Sequence, residues 1–234
     1  MVANLPAAYS GFTPGAQVVY NNKVYVFGGF RNTASPYDLA RTDRYDPVTK
    51  SFTQLGNLSL ARSYIYAAGV DGKIFAFGGT VFDGANLVAQ TRAEVMVNPE
   101  GAGTWNDAAV LDLPTAYDEG QAFGFDSDFN IDLVAGKIVF AGGGQWPGET
   151  ADVWTYDVAT NTYDTSFPDL QAPRRNHAAV FVPLDSADTA DGLPGLWVIG
   201  GRSGSDAPPY RGVEFFPLLY GQLLREVFLP AIMR

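Results

Sequence analysis

Four stretches of this chain end a short apolar run on a pair of glycines. They are KVYVFGG at 23–29, KIFAFGG at 73–79, KIVFAGG at 137–143 and GLWVIGG at 195–201. The doublets begin at Gly28, Gly78, Gly142 and Gly200, at intervals of 50, 64 and 58 residues. A unit recurring at this spacing decides the architecture first. Each copy is one supersecondary unit that cannot bury its apolar face alone, so the copies must stack. One sandwich with four doublets in phase by chance is the weaker alternative.

The text around each doublet repeats too. Before it lies another strand-like run: AQVVY (16–20), YIYAAGV (64–70), QAFGFD (121–126) and HAAVFV (177–182). After it come a polar loop and a third run: DRYDP (43–47), AEVMVNP (93–99), DVWTYD (152–157) and GVEFFP (212–217). A fourth follows: KSFTQL (50–55), TWNDAAVL (104–111), NTYDTSF (161–167) and, less clearly, LLREVFL (223–229). DPVTK, NPEGAG and DVATN between the third and fourth runs are hairpin-turn compositions. Each unit therefore reads as a four-stranded antiparallel meander. Radial stacking of such sheets gives a β-propeller, with the strands that end in Gly-Gly expected along the central axis.

These residues also carry a resemblance. The glycine doublet after an apolar strand, followed by RYDPVTKSF or TYDVATNTY, resembles the kelch repeat of kelch-type propellers and of the central domain of galactose-oxidase-like proteins. Tyr45 with Phe52 and Tyr156 with Tyr163 match the family's spaced aromatic pair, Trp105 takes the second aromatic place in repeat two, and PRRNHAAV (173–180) matches a repeat opening. Repeat four departs most, because FFPLLYGQLL lacks the polar turn and the second aromatic. The resemblance implies an all-β, kelch-type propeller of four four-stranded blades in one domain over 1–234, with repeats at about 7–60, 61–114, 115–172 and 173–230.

Both ends of the chain fall in one phase: NLPAAYSG (4–11) and VFLPAIMR (227–234) each resemble LDLPTAYDEG (111–120). Kelch propellers usually have more blades than four. The repeats therefore either close as a four-bladed ring, with residues 2–6 pairing against the last blade, or form part of a larger propeller, completed by another chain or by more of this one. In the second case the terminal repeats and the apolar tail LLREVFLPAIMR are expected to support self-association.

Charge and composition exclude several classes. The net charge of −10 repels a phosphate backbone, so no nucleic-acid partner is expected. No apolar run reaches the ~18–20 residues of a membrane span. MVANLPAAYSG lacks the basic start and apolar stretch of a signal peptide, and cytoplasmic and secreted locations are both compatible with the chain. There is no cysteine and one histidine, His177. A copper site with a tyrosine–cysteine cross-link, as in galactose oxidase, is therefore not expected, and His177 reads as structural. An enzyme is the less favoured class, although an acid such as Asp118 or Glu119 beside Arg174 or Arg175 would suit the acid–base chemistry of a sugar epimerase.

The loops after the glycine doublets share one face with the loops between repeats. That face carries arginines and aromatics: Arg31, Tyr37, Arg62, Tyr64, Trp146, Arg174, Arg175, Arg202 and Tyr210. Both residue types are common interface anchors. The expectation is a non-catalytic module that binds a protein or peptide there; a carbohydrate ligand, or a structural role in a larger assembly, is the alternative. Several of these arginines would equally satisfy loop acids such as Asp38, Asp118 and Glu119. On the opposite face, DSDFNID sets Asp126, Asp128, Asn130 and Asp132 at alternating positions, a spacing of oxygen ligands that suits calcium. Ile131 stands where a calcium loop normally has glycine. No other cofactor is expected.

Overall fold

The structure, a computed structural model, describes residues 3–129, 133–144, 147–182, 195–204 and 211–216. A 3-10 turn, Ala7–Tyr9, precedes the first sheet of β1 (Thr13–Tyr20), β2 (Lys23–Phe30), β3 (Thr42–Asp46) and β4 (Ser51–Gln54). The second sheet is β5 (Tyr66–Val70), β6 (Lys73–Phe77), β9 (Ala93–Val97) and β10 (Thr104–Asn106). A small hairpin, β7 (Thr80–Phe82) and β8 (Leu87–Ala89), is inserted after β6. The third sheet is β11 (Gln121–Phe125), β12 (Lys137–Gly143), β13 (Thr150–Asp157) and β14 (Thr162–Asp164). The fourth is β15 (Ala178–Val182), β16 (Gly195–Ile199) and β17 (Val213–Phe216). All pairings within the sheets are antiparallel between neighbours, so each sheet is a meander.

The sheets are the blades of a four-blade β-propeller. The sequence placed the Gly-Gly strand innermost, and this is corrected: that strand is second in each blade. The strand before it lies nearest the axis, where β1 packs on β5, β5 on β11 and β11 on β15. The doublet's place follows from backbone crowding. Gly142 has φ +58°, and a Cβ there would stand 2.8 Å from the Arg174 carbonyl. The N–H of the second glycine donates to the opening of the following blade: Gly29 to Arg62 O at 3.0 Å, Gly79 to Tyr117 O at 2.9 Å and Gly143 to Arg174 O at 2.7 Å. A side chain on the first glycine would strike the opening of the following blade, and one on the second would strike the opening of its own blade.

Three apolar clusters fill the spaces between consecutive blades. Tyr25 and Phe27 of blade 1 meet Ile74 and Met96 of blade 2. Phe75 and Phe77 of blade 2 meet Ile138, Phe140 and Tyr156 of blade 3. Val139 and Ala141 of blade 3 meet Leu196 and Val198 of blade 4. The aromatic pair that marks the repeat is formed in space, with Tyr45–Phe52 and Tyr156–Tyr163 ring centroids 4.9 and 5.1 Å apart. Residues 3–6 form no strand, so the described part of the proposed N-terminal pairing is absent. The tail from 217 lies outside the described residues.

Gly142→Ala is expected to cost about 2–3 kcal/mol, combining left-handed strain with a backbone clash. Gly72→Ala also has a positive φ but meets open space, and is expected to cost only about 1–2 kcal/mol. Urea unfolding midpoints of the two variants measure the difference.

Candidate functional site

The arginines expected as surface anchors are largely internal. Arg62 is 0% exposed. Its guanidinium pairs with Glu94 on β9 and donates to Gly78 O at 2.9 Å. Glu94 also accepts the Ser59 N–H at 2.7 Å. Arg174 repeats this in blade 4: it is 0% exposed, pairs with Glu214 on β17 and donates to Gly200 O at 3.1 Å, while Glu214 accepts the Gln171 N–H at 2.6 Å. Arg175 is buried as well, held by Glu119 and, at 3.0 Å, by Glu149. These three are withdrawn from the predicted contact surface. A cation this deep must be paired, and the pairing acids lie within the same blade or the adjoining one. Arg202 is exposed, and its backbone bridges to Arg175. Trp146 and Tyr210 lie outside the described residues.

The buried acids left a signal in the sequence that loop reasoning missed. Glu94 interrupts AEVMV and Glu214 interrupts VEFF, and an acid within an apolar strand requires a buried cation. Blade 1 has Asp43 there, paired with Arg41 at 2.8 Å. Blade 3 shows the converse. There Trp154 stands opposite Phe140, in the place of the acid. The opening residue is then Tyr117 instead of arginine, and its hydroxyl donates to Asp152 at 2.5 Å.

Three of the expected anchors do lie at the surface together. Tyr64 is half-buried, 6.4 Å from the Phe30 ring; Phe30 meets Phe82 at 5.7 Å, and Phe82 meets Tyr37 at 4.9 Å. Arg31 stacks over Phe12 at 4.4 Å, and donates to Pro36 O at 2.9 Å. The β7–β8 hairpin, unforeseen in the sequence, supplies Phe82. This partly exposed aromatic band runs from the loop 30–41 inward to a recess of about 190 Å³ at the propeller mouth. Gln17, Tyr64, Glu119, Gln121 and Asn176 line the recess.

The recess rim is held in an uncommon backbone state. Tyr64, Glu119 and Asn176 occupy the same place in blades 2, 3 and 4, with φ of +54°, +57° and +50°. Glu119 N–H donates to Tyr64 O at 3.3 Å and Asn176 N–H donates to Glu119 O at 2.8 Å. Left-handed non-glycine residues gather where surrounding structure over-determines them.

Two titratable groups sit beneath this rim. Asp118 is buried with Oδ1 unpartnered, and burial, with Glu119 adding to it, pushes its carboxyl up to about 7. His177 is buried with neither ring nitrogen hydrogen-bonded, and burial, with the Arg174 charge beside it, lowers it to about 4. Its ring is therefore uncharged at neutral pH.

Of the calcium candidates, Asn130 and Asp132 lie outside the described residues. Asp126 Oδ1 accepts the Asp71 N–H at 2.5 Å and the Tyr20 hydroxyl at 3.3 Å, tying the turn of blade 3 to that of blade 2. Asp128 is exposed. Among the described residues no group of three or more His, Cys, Asp or Glu is disposed to hold a metal, and no helix is long and apolar enough to cross a membrane.

Comparison with known proteins agrees with the fold. Residues 17–59 match the kelch motif. The chain is similar to human Kelch-like protein 33, at 33% identity over 126 residues, covering 51% of this chain and 22% of that protein. The chain thus matches less than a quarter of that relative's length. With four meanders carrying the glycine doublet, this is a kelch-repeat β-propeller.

Breaking one internal pair is expected to be severe. Arg62→Leu leaves Glu94 buried and unpaired and should cost about 3–5 kcal/mol, whereas Arg62→Leu with Glu94→Leu should recover much of that loss. Urea denaturation of both variants tests it. Asp118 gives a pH signature. Its folded carboxyl keeps a proton that the unfolded chain loses, so its contribution to stability is present below about pH 4 and falls as pH rises to about 7. The stability of Asp118→Asn relative to wild type should therefore rise across that window and level off above it. His177 acts oppositely: its contribution is present above about pH 6.5 and is lost as pH falls toward 4. Replacing it with Gln should remove that acid-side loss.

Proposed function

We propose that this kelch-type propeller is a non-catalytic interaction module that binds a protein partner, through a peptide segment, at the mouth and the aromatic band beside it. The carrying observation is the continuous run of half-buried rings from Tyr37 through Phe82 and Phe30 to Tyr64, ending at the recess. Rigid aromatic side chains beside an amide-lined hollow suit a segment that inserts one polar side chain and lays apolar ones along the band. The kelch motif and the resemblance to a kelch-like protein support the same class. No acid–base pair with an open approach accompanies the recess among the described residues: Glu119 is engaged by Arg175 and Asn176.

Peptides selected from a random display library on the immobilised protein should bind wild type, measured by fluorescence polarisation. Tyr37→Ala and Tyr64→Asn, the latter chosen because asparagine tolerates a left-handed backbone, should each weaken them about 30-fold, the scale of a ~2 kcal/mol anchor. Val48→Ser, on a turn at the opposite end, should change nothing. A library without enriched binders, or binders indifferent to Tyr37 and Tyr64, overturns the reading. Saturable binding on a glycan array in their place would favour a carbohydrate ligand.

A further inference from the structure

We propose that the recess at the propeller mouth takes a lysine or arginine side chain, so that the bound segment is a basic one. This occupant deepens the peptide-binding reading and rests on it. The hydrogen-bonding capacity left over at the recess points to a cation. Asn176 Nδ2 donates to Glu119 Oε2 at 3.1 Å, and Gln121 Nε2 donates to His177 O at 3.1 Å. A carboxylate and a carbonyl can only accept, so these contacts fix which end of each amide is turned to the protein. Each amide nitrogen has a partner, while Asn176 Oδ1 and Gln121 Oε1 have none among the described residues. Glu119 receives Arg175 and Asn176 on Oε2 alone, which leaves its Oε1 open as well. Three oxygens of the recess lining thus lack a donor.

Charge agrees with this count. Among the described residues no lysine or arginine lines the recess. Arg175 is buried and shared between Glu119 and Glu149, so two carboxylates meet one guanidinium and a negative charge is left over. Arg31 is held by the carbonyls of Ala34, Ser35 and Pro36, and the exposed Arg202 and Arg211 of blade 4 do not line the recess. Main-chain edges carry donors and acceptors alike, so the side chains decide the balance. An incoming carboxylate would meet acceptors only. An ammonium or guanidinium brings three or five donors and the missing charge. The half-buried Tyr64 ring, which also lines the recess, adds an aromatic surface that attracts a cation.

The acceptors are in place before a ligand arrives. Glu119 and Asn176 are fixed by their left-handed backbones and by the rim hydrogen bonds between them, so little ordering is left to be done on binding. Gln17 stands apart from this network. It is exposed on β1, lines the recess and makes no side-chain hydrogen bond among the described residues. A charge set at Gln17 therefore changes the potential at the recess without breaking a contact that joins the blades.

Peptides enriched from a random display library on the immobilised protein should share a lysine or arginine at one position. Labelled synthetic copies are then compared by fluorescence polarisation. Exchanging that residue for a neutral isostere, norleucine for lysine or citrulline for arginine, should weaken binding about 30-fold. Gln17→Glu should tighten the basic peptides about 5-fold and Gln17→Lys should weaken them by a similar factor, while the neutral peptides respond to neither. Unchanged urea midpoints show that both variants are folded. Enriched peptides that need Tyr37 and Tyr64 but carry no basic residue, or that ignore its neutralisation and Gln17→Lys, overturn this proposal and leave the interaction module standing. A library without enriched binders overturns both.

Discussion

Blade stacking in this protein depends on one residue position used twice. At the opening of blades 2 and 4 the arginine carbonyl accepts the second glycine's N–H of the preceding blade, while its guanidinium pairs with an acid on the third strand of its own blade. Backbone and side chain of one residue thus join two sheets. The arrangement holds only if the glycine lacks a side chain and the acid is buried opposite. Burial of such a pair adds little net stability, because desolvation offsets most of the attraction. It fixes the angle at which each blade meets the next, and it makes loss of either partner costly.

That double use explains why the fold was legible in the sequence and the arginines were misread. The glycine doublets, the alternation before them and the turn compositions are local signals with fixed periods, and the strands formed where these pointed. Arg62 and Arg174 sit in polar loop text between strands, and loop text reads as surface. What buries them is Glu94 or Glu214, 32 and 40 residues away, reached only after the meander folds. The β7–β8 hairpin was hidden for a related reason: TVFDGANLVAQ has the composition of a polar loop with two short apolar runs. The aromatic band could not be assembled from sequence, because Phe82 joins Phe30 and Tyr37 only through that hairpin.

Blade 3 shows that the repeat conserves a volume and its hydrogen bonding more than a residue type. Trp154 stands opposite Phe140 where other blades have an acid, and its ring stacks on Phe140 at 4.3 Å. An arginine at the opening would there meet an indole without a countercharge; Tyr117 packs on the indole at 5.7 Å and sends its hydroxyl to Asp152. The carbonyl of Tyr117 still receives the Gly79 N–H. The interblade bond is thus kept while the internal pair is exchanged.

The mouth follows from the same geometry. Because each blade opening must present its carbonyl backward to a glycine, the chain has to turn sharply before entering the first strand. Tyr64, Glu119 and Asn176 make that turn in the left-handed region, at a cost of about 1–2 kcal/mol each, which the fixed neighbours sustain. The turn directs three unlike side chains toward the axis: a phenol, a carboxylate and an amide. The scaffold therefore fixes their positions; Tyr64 and Asn176 can change identity without disturbing blade stacking, whereas Glu119 also holds the buried Arg175 of the next blade. Recognition chemistry can vary at this rim while the arginine–acid pairs beneath it hold the blades in register.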